Sequence, residues 1–173
     1  TAGDAAGGLV GYIYRGTVSY SHSDASVIST FGSGVGGLVG NADSGNITYS
    51  YSGGDVHGSD EYSYVGGLIG WMGGATIENS YSTSNVYGYD SVGGLVGYAY
   101  YGVIENTYAS GSVSGNAQVG GLVGTNNGMI SRSYSSGLVS GEADVGGLVG
   151  INDLTVYKSY WDNETSGQST SAG

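Results

Sequence analysis

Apolar residues along this 173-residue chain come in short clusters that return at a near-constant distance, and one cluster is always set in glycine. The phrase Gly-Gly-Leu-(Val/Ile)-Gly starts at Gly7, Gly36, Gly66, Gly93, Gly120 and Gly146, so the steps are 29, 30, 27, 27 and 26 residues. A period in this range marks stacked supersecondary units, none of which can bury its apolar face alone. A second cluster places an aliphatic residue four positions before a tyrosine: Ile47 and Tyr51, Ile77 and Tyr81, Ile104 and Tyr108, Ile130 and Tyr134, Val156 and Tyr160. In a strand an even separation puts both members on one face. Both are therefore expected to point inward, with Thr48, Glu78, Glu105 and Ser131 toward water. A third cluster is a valine among small residues, at Val56, Val86, Val113 and Val139, followed two positions later by Gly58, Gly88, Gly115 and Gly141.

Gly, Ser, Asn and Asp separate these runs and supply turn chemistry. Helices fit poorly, because each interior glycine costs about 1 kcal/mol relative to alanine. The remaining β-branched and aromatic residues favour strands. The pattern predicts an all-β fold: a parallel β-solenoid (β-helix) of about six coils of 26–30 residues, with three short strands per coil. Parallel crossovers are overwhelmingly right-handed, and that hand is expected here. Coils spaced about 4.8 Å apart would make a rod on the order of 30 Å long. One array is expected over 1–160, with 161–173 as a C-terminal cap or linker.

Stacking turns repeated positions into columns. Leu9, Leu38, Leu68, Leu95, Leu122 and Leu148 should form one, the Ile/Val set a second, and Tyr51, Tyr81, Tyr108, Tyr134 and Tyr160 a third. The phrase glycines are expected to serve tight corners, where positive φ suits glycine, or close backbone approach. Both end units are irregular: His22 stands where later coils place tyrosine, and the pattern stops after Tyr160.

Composition narrows the function classes. With 37 glycines but no proline and no three-residue period, the chain is not collagen. There is no cysteine, hence no disulfide framework or thiolate metal site. The net charge of −11 would repel nucleic acid and anionic membranes. No apolar run reaches a membrane span of about 18 residues, so no membrane insertion is expected. No leader-like run precedes the first phrase, so a mature chain or an excised segment is expected. Few lysines among abundant Ser, Thr, Asn, Gly and Tyr suit an extracellular protein.

The glycine phrases resemble the bacterial GLUG-motif repeats, whose core is Gly-Leu-(any)-Gly, over roughly residues 6 to 160. The tail from Trp161 to Gly173 is similar to segments that close such arrays in large haemagglutinin-like surface proteins. The resemblance implies a secreted or cell-surface adhesin with the repeats as a stalk. Some relatives join the repeats to an immunoglobulin-cleaving zinc peptidase, but this chain has no His-Glu-x-x-His.

Catalytic, cofactor and metal sites are not expected. The two histidines, His22 and His57, have no neighbouring ligand set and read as exposed turn residues. Asp43, Asp90 and Asp144 are expected in turns at non-equivalent positions, and no coil carries the Gly-Gly-x-Gly-x-Asp repeat of calcium-binding solenoids. An acid pair for glycoside hydrolysis, Asp60 or Glu61 with Asp90, has only proximity in its favour. Thr17, Thr48, Thr76 and Thr107 share no repeat position and make no ice-binding lattice.

Aromatic residues carry more. The residues after each phrase are Tyr12, Asn41, Trp71, Tyr98, Thr125 and Ile151, so Tyr12, Trp71 and Tyr98 should lie on one face, widened by Tyr14, Tyr100 and Tyr101. Two readings stand open: an exposed stripe for sugar or protein partners, or rings folded over the corner to cover the core. Three function readings follow: a non-catalytic structural stalk joined to flanking modules, a glycan- or receptor-binding module, and a subunit that assembles end to end into a filament.

Overall fold

Each coil must turn through a full circuit in fewer than 31 residues, and outside two longer fused strands it does so with segments of two to five residues. The computed structural model describes residues 5–173; the first four, where the predicted array begins, lie outside the described residues. The fold is an all-β parallel β-solenoid of about six turns, and every strand pairing is parallel to its equivalent one coil away.

A coil holds five strand segments in four sheets rather than the three strands expected. In the third coil they are Tyr64–Gly66 (first sheet), Ile69–Gly73 and Thr76–Glu78 (both second sheet), Tyr81–Ser82 (third sheet) and Val86–Tyr87 (fourth sheet). The fourth and fifth coils fuse the middle pair into Val96–Glu105 and Val123–Ser131. Asp43, Asp90 and Asp144 lie in strand segments, not turns.

The glycine phrase is the waist of the coil, and it divides the interior into two cores. Val35, Val65, Val92 and Val119, just before the phrase, pack with Val27, Val56, Val86, Val113 and Val139 of the fourth sheet. The Leu and Val/Ile of the phrase face the other way and pack with Ile47, Ile77, Ile104 and Ile130. Between the cores, backbone meets backbone. A Cβ on Gly97 would lie 2.6 Å from the Gly70 carbonyl oxygen and 2.6 Å from the Val65 nitrogen. One on Gly94 would overlap the Gly121 carbonyl oxygen and sit 2.9 Å from Ala109 Cβ in the third sheet. Close approach therefore explains the phrase, and positive φ does not: among the described residues the positive-φ glycines are Gly32, Gly74, Gly167 and Gly173.

Left-handed backbone is instead carried by other residue types. Tyr20, Tyr49, Asn79, Asn106, Arg132 and Lys158, one per coil, have φ between 48° and 52° at the corner between the second and third sheets. This corner corrects the tyrosine column. Strand alternation resets across it, so Ile47 is buried while Tyr51 is half-exposed, and Ser52 takes the inward position. Tyr51, Tyr81, Tyr108 and Tyr134 stack outside the core, with ring centroids 4.7 to 5.1 Å apart. His22 continues the stack at 4.8 Å from Tyr51, and Tyr160 shares the register but is 67% exposed.

A serine column holds the same corner. Ser50 Oγ accepts from the Ser21 nitrogen at 3.2 Å and donates to the Thr48 carbonyl at 2.9 Å, and Ser80 and Ser133 repeat the motif. The hydroxyls thereby satisfy backbone groups that the corner strips from the ladder.

The leucine column holds over five of its six members. Leu38, Leu68, Leu95, Leu122 and Leu148 are buried, but Leu9 is 51% exposed because no described coil lies beneath it. At the other end the tail stands in for a further coil. Trp161 takes the place of Ser135 one coil below and lays its indole over Gly147, with Nε1 donating to the Gln168 carbonyl at 3.0 Å. The Gly147 nitrogen donates to the Thr170 carbonyl, while those of Leu148 and Val149 donate to Ser171 Oγ. Asp162 caps the short helix Asn163–Ser166 between them. Segment 161–173 is thus packed on the array as a cap. Deleting residues 162–173 frees these donors and opens a flat ladder edge. We expect a lower thermal midpoint and concentration-dependent association by light scattering coupled to gel filtration.

Candidate functional site

Two columns of outward-facing residues flank the glycine waist, and a crevice opens where the first and second sheets diverge. On the second sheet Tyr12, Asn41, Trp71, Tyr98, Thr125 and Ile151 stand in unbroken register, as their spacing after each phrase implies. Opposite them run Gly34, Tyr64, Ser91 and Gln118 of the first sheet.

Shared register does not bring the expected stripe together. Tyr12 is separated from Trp71 by Asn41, which is buried and whose Nδ2 donates to Ser33 Oγ at 2.9 Å. The Trp71 indole folds along its own strand across Gly73. Tyr98 and Tyr100 lie with centroids 6.2 Å apart, and Tyr101 meets Tyr100 edge-on at 4.4 Å from around the next corner. Tyr101 has φ 51° and borders a different, apolar hollow of about 300 Å³ with Met129 and Leu154.

Tyr98 finds its main partner across the crevice. Its ring centroid is 5.0 Å from that of Tyr64, tilted by 41°. Beside this pair lies a pocket of about 300 Å³ bordered by Gln118, Thr125, Asn127 and Asp153. Gln118 Oε1 accepts from Ser91 Oγ at 2.6 Å and from Thr125 Oγ1 at 2.9 Å, leaving its NH₂ without a partner among the described residues. The Asn127 amide, with its NH₂ turned to the acceptors, donates to Asp153 Oδ2 at 3.0 Å and to the Asn126 carbonyl at 3.2 Å. Ser91 and Gln118 have φ of 50° and 55°, bulging out of the first sheet toward Thr125. Tyr64, Gln118, Asn127 and Asp153 were not singled out from sequence, because none occupies a recurring residue type. Their only signal is position: two before the first glycine of a phrase, or three beyond the last.

Burial lifts the Tyr98 phenol above the ordinary tyrosine range, and Tyr64, Tyr100 and Asp153 add to the effect. Burial likewise lifts Tyr108, helped by Tyr81 and Tyr134 in the stack. The unfolded chain releases these protons first, so their stabilising contribution is complete below about pH 10 and is lost as pH rises through the higher folded values. Thermal midpoints measured from about pH 8 to about pH 11 should fall at the alkaline end, and Tyr108→Phe should flatten that fall.

The rest of the surface offers less. Arg132, Lys158, Tyr134 and Tyr160 border a hollow of about 330 Å³, but Arg132 is paired with Glu105 and Asn106 Oδ1. Among the described residues, no group of three or more His, Asp or Glu is placed to hold a metal ion.

Such an array of parallel coils, waisted by glycine and bordered by a polar crevice, defines a repeat-built β-solenoid. Its third and fourth units, residues 61–87 and 88–114, each match the family model of the GLUG motif. A solved structure from Bacteroides ovatus, described as a "putative immunoglobulin A1 protease", is similar with a TM-score of 0.69 and 22% sequence identity. The match covers 90% of this chain and 56% of that one, so the chain spans little more than half its neighbour's length. At that identity the likeness is one of fold. A search of curated protein sequences finds no match.

Proposed function

We propose that this chain is a non-catalytic extracellular structural module, a stiff β-solenoid stalk within a bacterial surface adhesin or fibre. The observation that carries the reading is continuity: equivalent residues stay in register from coil to coil through all four sheets. Each coil touches only its neighbours, so load along the axis is borne by backbone ladders and two unbroken apolar cores. A surface of net charge −11 with only Arg15, Arg132 and Lys158 as cations suits a solvated spacer. The GLUG match favours the same class. Protease shaving of intact producing cells tests the location: release of this segment supports the reading, and retention inside unshaved cells overturns it.

End-to-end assembly into a filament is the second reading, and the tail bears on it. A subunit docking on the last coil would have to displace Thr170 and Ser171 from the Gly147, Leu148 and Val149 donors. Negative-stain electron microscopy across a concentration series separates the two. Short rods at every concentration favour the stalk, and long fibres favour the filament.

A further inference from the structure

We propose that the crevice between Tyr64 and Tyr98 on one side and Gln118, Thr125, Asn127 and Asp153 on the other binds a neutral oligosaccharide. This goes beyond the stalk reading and does not depend on it. Three features select a sugar. The Tyr64 and Tyr98 rings, both half-buried and held 5.0 Å apart across the sheet junction, give a fixed aromatic wall for the apolar face of a pyranose. Next along the axis come groups of mixed polarity. The Gln118 NH₂ is a free double donor, because its carbonyl is held by the Ser91 and Thr125 hydroxyls. Beside it, Asn127 Oδ1 and Asp153 Oδ1 are acceptors without a donor among the described residues, the Asn127 NH₂ being spent on Asp153 Oδ2 and the Asn126 carbonyl. A ligand whose every polar group both donates and accepts satisfies such a row, and sugar hydroxyls do so.

Shape and charge narrow the class. From the coil of Tyr64 to that of Asp153 the crevice runs through three coil spacings, about 14 Å along the axis. That is the reach of a short linear chain rather than of one ring. The site is preorganised, since Ser91 is buried and the bulges at Ser91 and Gln118 fix the hydroxyl-to-amide contacts before any ligand arrives. Asp153 borders the pocket, and the chain carries a net charge of −11. Uronic or sialylated chains are therefore disfavoured, and neutral ones fit.

Binding is measured by isothermal titration calorimetry against neutral hexasaccharides of glucose, mannose, xylose and N-acetylglucosamine, with hexagalacturonate as the acidic comparison. Expected is binding of at least one neutral hexasaccharide, weakened about tenfold by Tyr98→Ala and by Asp153→Ala. Tyr160→Ala, at an exposed ring outside the crevice, should leave it unchanged. Asp153 is exposed, so its variant keeps the test valid should Tyr98→Ala fail to fold. Absence of binding to every neutral hexasaccharide overturns the proposal. So does binding indifferent to both crevice variants, or tighter binding of hexagalacturonate.

Discussion

Gly94→Val should lower the thermal midpoint by about 6–12 °C, on an overpacking cost of about 3 kcal/mol in a chain of this size. The cost is steric. A Cβ at Gly94 would overlap the Gly121 carbonyl oxygen and crowd Ala109 Cβ at 2.9 Å. Neither obstacle can swing aside, since one belongs to the backbone of the next coil and the other to the third sheet. Even Gly94→Ala should destabilise, which sets this position apart from a turn glycine. Gly74, where φ is +61° and the nearest atom to a Cβ is Ser44 Oγ at 3.7 Å, would suffer only the conformational penalty. Thermal melts of Gly94→Ala and Gly74→Ala side by side make the distinction. A smaller loss for Gly94→Ala would mean that the sheets can separate at the waist.

Leu95→Ala is expected to cost about 2–5 kcal/mol, as for a fully enclosed leucine. It is 0% exposed, between Leu68 and Leu122 in the column, and its amide donates to the Leu122 carbonyl at 2.8 Å. The same change at Leu9 should fall within about 0.5 kcal/mol, the range of ordinary surface substitutions. The two residues occupy the same place in the repeat, but Leu9 is 51% exposed. Urea melts followed by tyrosine fluorescence measure both. Equal losses would require that something cover the first coil.

Much of the architecture was legible because the repeat is a physical ruler. Six glycine phrases at near-constant spacing gave the number of coils, and equivalence of position gave the Leu, Ile and Val columns that the pairing register bears out. What failed was local parity. Counting from Ile77 to Tyr81 in steps of two presumes one straight strand, whereas Asn79 turns left-handed between them and sends the tyrosine outside. Asn79 and Asn106 are of a type that tolerates positive φ, but nothing in Tyr20, Tyr49, Arg132 or Lys158 at the same place announces it. The split core was hidden for a related reason. Two flanking valines such as Val92 and Val96 read as one apolar run, while the glycines between them let the chain hand over from one core to the other.

The crevice was half legible. Register placed Tyr12, Trp71 and Tyr98 in one column, but a column is not a contact, since Asn41 and Gly73 decide how those rings lie. Tyr64 could not be paired with Tyr98 without knowing that the first and second sheets diverge at a crevice that both rings face. Gln118, Asn127 and Asp153 broke the repeat pattern, and departures from a pattern carry no direction until the pattern has a shape.

The cap made by Thr170 and Ser171 fixes where such a protein can lengthen. Its ladder contacts serve whichever coil comes last, and inner coils meet matching surfaces above and below. Duplication of an inner unit would therefore be nearly neutral to folding, adding about 4.8 Å of reach per copy. Duplication beyond Trp161 would strand the plug inside the array. Selection on such genes thus has a cheap dial for length, set by the number of inner repeats, while the plug at 161–173 stays constant.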